Sequence, residues 1–164
     1  VSSTGIDRFN PAAVGFSHYR YKSTDNKGLA GAQVWEVFQS RDGTLWVGTW
    51  DETSATNALN ELNRDSGEFT RHIPVAESQA GQPWALPNSI VEDGAGYIWT
   101  GGRPFGPPTS GGLGRYDRRT GKWVRFRHDP NTPRSIAGDD IHEMTTEPDG
   151  TSWEGNGPKG DGVS

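Results

Sequence analysis

The side chains able to do chemistry in this 164-residue chain are scattered. Its four histidines, His18, His72, His128 and His142, form no cluster in sequence, and a metal site needs convergent ligands. Asp139 and Asp140 offer oxygen donors for a cation, yet an acidic pair ahead of a strand reads more simply as a solvated one. There is no cysteine, which excludes disulfides and thiolate metal sites. No nucleophile elbow, zinc-binding helix, Walker loop or EF-hand loop occurs. Gly112-Leu113-Gly114 lacks the third glycine and the helix of a phosphate cradle. No catalytic residue, metal or cofactor is therefore assigned. Arginine and the aromatics carry more. Arg103 has paired donors for an anionic group. Trp50, Trp84 and Phe105 offer ring faces on which a ligand such as a sugar could stack, and the carboxylates of Asp51 and Glu52 follow Trp50. These six are expected in loops, outside the pattern that governs the other aromatics, and they are the candidate ligand-binding residues.

That pattern is a repeat. Trp46, Trp99 and Trp153 are separated by 53 and 54 residues, and the same offsets relate Phe16, Phe69 and Trp123, Ile6, Leu59 and Leu113, and Phe9, Leu62 and Tyr116. A period of this length marks an array of supersecondary units. The fixed place of Trp46, Trp99 and Trp153 in each unit argues for packing and against recognition. Composition names the unit: 23 Gly and 11 Pro punctuate turns, and 7 Trp favour pleated surface.

In residues 32–73 the expected strands are 32–39, 44–50, 58–63 and 68–73. Arg41-Asp42-Gly43 and Asp65-Ser66-Gly67 make tight turns, and a polar loop lies ahead of Ala58. Residues 86–128 repeat this meander. Residues 5–21 read as the last two strands of an earlier unit and 138–156 as the first two of a later one. The fold expected is all-β, a single β-propeller segment of about three blade equivalents, each blade a four-stranded antiparallel meander. A β-sandwich or prism is the alternative that the matched offsets disfavour. Propellers close with four to eight blades, so neighbouring blades outside this chain are expected partners.

Gly43-Thr44-Leu45-Trp46-Val47-Gly48-Thr49 resembles the Gly-x-Leu-Trp-Ile-Gly-Thr core of the two-component regulator propeller repeat. Gly112-Leu113-Gly114-Arg115-Tyr116-Asp117, followed by Thr120-Gly121-Lys122-Trp123, is similar to its other half. Phe126 to Asn131 looks like the linker that comes next, and Ile90 to Asp93 like the strand before the turn. The resemblance implies the extracytoplasmic sensing region of a bacterial signalling protein, often a hybrid histidine kinase, on the periplasmic or extracellular side of an inner-membrane receptor. Two departures stand out: the second-to-third connections are long, and Ser152 and Glu154 replace the apolar neighbours expected around Trp153. Sialidase-type Asp-box propellers fit less well, because Gly43 follows Asp42 directly.

Up-down-up-down blades put the first-to-second and third-to-fourth turns at one end, where this chain is tight. Its longer segments, 50–57, 74–87, 102–111 and 129–137, all project from the other end. Binding residues concentrate on loops of a rigid scaffold, so a ligand or partner is expected there. An enzyme reading, a metal-dependent lyase like the streptogramin-inactivating propellers using His128, His142 and Glu143, or a polysaccharide-active protein, is the second class. A purely structural or assembly propeller is the third. The net charge of −5 disfavours nucleic acid, and no apolar run approaches the roughly 20 residues of a membrane span.

Overall fold

The computed structural model describes residues 5–12, 15–22, 24–52, 56–74, 87–103 and 111–157. Among them are twelve strands: β1 (Gly5–Phe9), β2 (Phe16–Arg20), β3 (Gln33–Gln39), β4 (Leu45–Asp51), β5 (Thr56–Leu62), β6 (Phe69–His72), β7 (Ser89–Glu92), β8 (Ile98–Gly102), β9 (Gly112–Asp117), β10 (Lys122–Phe126), β11 (Ile141–Thr146) and β12 (Ser152–Asn156). They form four antiparallel sheets: β1-β2, β3-β4-β5-β6, β7-β8-β9-β10 and β11-β12. The two four-stranded sheets are β-propeller blades, with β3, β7 and β11 as neighbouring inner strands. Among the described residues no helix is long and apolar enough to cross a membrane.

The tight turns form for a local reason. Gly43, Gly96 and Gly150 sit at φ of 86°, 85° and 91°, a region that only glycine occupies cheaply. Each closes the first-to-second turn of its sheet.

Alternation along the strands sends one side chain set to the preceding sheet and the other to the following one. Three cores result. Leu29, Val47, Leu62 and Phe69 pack with Ile6 and Tyr19. Trp46, Leu59, Ile90, Ile98 and Tyr116 join the two full blades. Val91, Leu113, Ile141 and Met144 join the second blade to β11-β12. The consensus glycines serve this stacking: a Cβ at Gly48 would collide with Pro87, and one at Gly101 with Ile141.

The repeated tryptophans share a hydrogen bond to the residue six positions earlier. Trp46 Nε1 donates to Ser40 Oγ (3.1 Å), Trp99 Nε1 to Asp93 Oδ2 (2.7 Å) and Trp153 Nε1 to Glu147 Oε1 (2.8 Å). Their burial differs because the sheet stacked on each one differs. A complete blade comes after Trp46, which is 0% exposed; two strands come after the blade of Trp99, which is half-buried; no described strand comes after β12, and Trp153 is 45% exposed. Phe9 and Phe16, at 58% and 60%, form the apolar flank at the other end.

The inner strands β3 and β11 carry the same irregularity. The β3-β4 register shifts between Val34 and Glu36, leaving Trp35 outside the ladder. The β11-β12 register shifts between Ile141 and Glu143, leaving out His142. These are β-bulges, one residue more than the partner strand can pair. Asn88 takes the equivalent place just ahead of β7, its N–H donating to Gly101 O (2.9 Å).

The last hairpin forms despite its polar neighbours. Ser152 is exposed, whereas Glu154, at the place of Val47 and Thr100, is only 6% exposed. Burial raises the Glu154 carboxyl above the usual range, against a smaller opposing pull from Asn156. In the unfolded chain this group ionises near its ordinary value, in the folded chain at higher pH. The penalty is thus absent below the ordinary carboxylate pKa and complete above the raised one. Glu154→Val should stabilise the chain by about 1–2 kcal/mol at neutral pH, the scale of a buried polar group poorly satisfied. The gain should shrink toward about pH 4. Urea unfolding at the two pH values checks this, and a gain that is larger in acid would refute it.

Candidate functional site

The strand ends away from the tight turns bring together residues that the sequence keeps apart. Arg103 follows β8 directly. Asp140 and His142 flank the first residue of β11. Arg103 Nε lies 3.5 Å from Asp140 Oδ1, and His142 Nε2 lies 3.2 Å from the same oxygen. Gly157 N–H donates to Asp140 O (2.8 Å), continuing the β11-β12 pairing by one residue. A Cβ at position 157 would run into His142 Nε2 and the Asp140 carboxylate, so a larger residue there would displace one of these side chains. Arg103 and His142 remain about half exposed, whereas Asp140 is largely covered. One carboxylate oxygen thus lies within ion-pair distance of a guanidinium from one blade and an imidazole from its own sheet, with no hydrogen bond to either.

Asp139 works beside it. Its Oδ2 takes Arg127 Nη2 (2.6 Å) and Nε (3.1 Å), its Oδ1 takes His128 N–H (2.8 Å), and its carbonyl takes Gly112 N–H (2.7 Å). The acidic pair is therefore committed to protein partners and not simply solvated. His128 Nδ1 meets Ile136 O at 2.8 Å. Among the described residues no three His, Asp or Glu side chains are placed to hold a metal ion.

The opposite face carries hydrogen bonds and ion pairs between the two blades. Arg41 of the first blade bonds Glu92 Oε2 through its N–H (2.8 Å) and Nε (3.1 Å), and its Nη2 donates to Asp93 O. Arg118 of the second blade reaches back to Asp42 (2.7 Å) and Thr44 Oγ1 (3.1 Å) and lies over the Trp46 ring. The Ser40 hydroxyl, then Arg118, holds the Asp42 carboxyl well below the usual range. Between the blades His72 links Glu61 (Nε2, 3.0 Å) to the Tyr116 hydroxyl (Nδ1, 2.9 Å). Because Glu61 accepts from Nε2–H, Nδ1 accepts from the tyrosine.

Two placements differ from the sequence reading. Trp50 and Asp51 are not loop residues: β4 continues through them, pairing with Asn57 and Thr56, and both are buried. The polar run 51–57 looked like a loop, but its ends extend the ladder. Asp51 is accommodated because it accepts the Tyr21 hydroxyl, an interaction that raises the Tyr21 pKa. Glu52 is exposed just beyond β4. Trp84 and Phe105 lie outside the described residues. Asp140 and His142 were not among the six ligand-binding candidates; the sequence offered them only as part of a possible cation site and of the lyase alternative. The signal was present in the repeat: the same offsets put Trp50, Arg103 and Gly157 at one level and Gln33 and Asp140 at the level that pairs with it.

Comparisons with known proteins agree with this architecture. The chain aligns with the extracellular domain of BT3049 from B. thetaiotaomicron, described as a hybrid two component system. That match has 20% identity and a TM-score of 0.70 over 94% of this chain and 18% of that one. It also aligns with the extracellular domain of BT4673 from the same organism, described as a one component system, at 15% identity and a TM-score of 0.56. There the alignment covers 99% of this chain and 24% of the other. The chain thus spans about a fifth to a quarter of the length of these structures. No curated protein matches it. Residues 28–51, from the connector into the first full blade through β4, match the model of the two component regulator propeller.

Proposed function

We propose that this chain is a non-catalytic recognition segment of an extracytoplasmic sensor propeller, in a bacterial signalling receptor of the two-component, hybrid histidine kinase type. The family match and the two-component description of the BT3049 neighbour support the receptor context. One observation carries the binding face. Interblade hydrogen bonds occupy the Arg41 and Arg118 guanidinium groups on the tight-turn face, whereas on the other face Arg103 Nε lies 3.5 Å from Asp140 Oδ1, an oxygen that makes no hydrogen bond among the described residues. Donors already bonded across a blade joint must give up those bonds to meet a ligand; a guanidinium in ion-pair contact alone keeps its donors for one. The ligand is one with an anionic group, for which Arg103 supplies donors; a carbohydrate bearing a carboxylate is one such class.

In the intact receptor, Arg103→Ala should shift the ligand dose–response by about tenfold, the equivalent of about 1.4 kcal/mol of binding. Stability should change by less than about 0.5 kcal/mol, because exposed ion pairs contribute little. Signalling from the receptor in cells, with thermal unfolding of the purified domain beside it, reads both. A silent Arg103→Ala together with a signalling-defective but stable Arg41→Ala would assign recognition to the other face.

A further inference from the structure

The bulges give the recognition face a second set of residues. In β3 and β11 the bulged position stands outside the pairing ladder, and Asn88 takes the equivalent place just ahead of β7, so three successive sheets present an indole, an amide and an imidazole there: Trp35, Asn88 and His142. A bulge re-aims its side chain without breaking the strands on either side.

The three lie on adjoining strands. Ser89, one residue after Asn88, accepts the N–H of Met144, two residues after His142, at 2.9 Å in the buried interior. Glu36 and Glu143, each next to a bulge, are close enough that Glu143 adds to the effect of burial in raising the Glu36 carboxyl. The bulges of β3 and β11 therefore lie on the strands either side of β7. Trp35 is 48% exposed, a large indole surface open to contact. The buried Asn88 Oδ1 has no hydrogen-bond partner among the described residues, an acceptor that folding alone leaves unused.

We propose that Trp35, Asn88 and His142 form the specificity-determining ring of this face, taking a ligand with a flat apolar side and an anionic substituent. The proposal rests on the binding face argued above. The Trp35 indole supplies the stacking surface, Asn88 and His142 polar ring and amide atoms for hydrogen bonds, and Arg103 the positive charge, with Arg103 and His142 both close to Asp140. Trp50, the aromatic first expected to do the stacking, is packed inside the blade.

The test is saturation-transfer NMR on the whole chain with an equimolar mixture of glucuronate and glucose, a matched pair differing in the carboxylate. Wild type should transfer more strongly to glucuronate. Trp35→Ala should reduce transfer to both sugars by about tenfold, His142→Ala should narrow the preference for glucuronate, and Arg103→Ala should abolish it; each tenfold change in affinity corresponds to about 1.4 kcal/mol. Trp35 and His142 are exposed, so both variants should keep the wild-type unfolding curve. Transfer unchanged in Trp35→Ala but lost in Glu52→Ala would overturn the ring and leave the face as the binding surface. No transfer to either sugar in wild type would overturn the ring's ligand chemistry; the receptor reading would still stand or fall on the Arg103→Ala signalling result.

Discussion

Trp46→Ala should cost about 3–5 kcal/mol of folding stability, the range for removing a fully buried large aromatic, while Trp153→Ala should cost no more than about 1 kcal/mol. The two residues are chemically identical, occupy the same place in the repeat and donate the same hydrogen bond six residues back. Only their surroundings differ. Trp46 is enclosed by Leu59, Ile90, Ile98 and Tyr116, meets the Tyr116 ring edge-on with centroids 6.2 Å apart, and lies under the Arg118 guanidinium. Removing it leaves a cavity across the joint between two blades, which rigid sheets cannot collapse to fill. Trp153 loses mostly contact with solvent. Urea unfolding of both variants measures the difference. Equal costs would mean that the hydrogen bond and the strand position, and not the interblade contact, give this tryptophan its importance.

Asn60→Leu should cost about 2–4 kcal/mol, summing lost hydrogen bonds and an orphaned buried donor. Asn60 is fully buried. Its Nδ2 donates to Val47 O (2.8 Å) and Thr49 Oγ1 (2.9 Å), and its Oδ1 accepts Ala30 N–H (2.9 Å). It thereby fixes the connector before β3 to the middle of the blade, beside Arg71, which donates to Gly28 O and Leu29 O. Leucine keeps the length and removes all of these bonds. Beyond the global loss, amide exchange at Ala30 should accelerate selectively. Uniform acceleration across the blade, or none at Ala30, would show that the connector is held by Arg71 and by Leu29 packing instead.

The blades could be read from sequence because their constraints are local and repeated. A glycine at positive φ and a tryptophan at fixed spacing mark each first hairpin, and neither depends on the rest of the molecule. The indole's acceptor is a serine, then an aspartate, then a glutamate. The requirement is for an oxygen and not a residue type, so this bond is invisible to a comparison of letters. Arg103 was legible as a candidate because it breaks the pattern, but its pairing with Asp140 depends on how one sheet stacks on the next, which no local window contains. Trp50 was misplaced for the converse reason: polar neighbours imitate a loop, and only the Trp50–Asn57 pairing shows the strand continuing. Burial of Glu154 was likewise unreadable, since its position in the repeat predicts an apolar residue and its charge predicts the surface.

The bulges bear on how such a chain can change over generations. Tandem duplication copies every pairing and every turn, and most later substitutions are filtered by the fit of one copy against the next. A residue outside the ladder escapes that filter: Trp35 and His142 differ, yet the strands around them pair in the same register. Each copied unit therefore inherits one position free to drift, and the number of distinct surfaces open to selection multiplies with every unit added while the instructions for folding pass on unaltered.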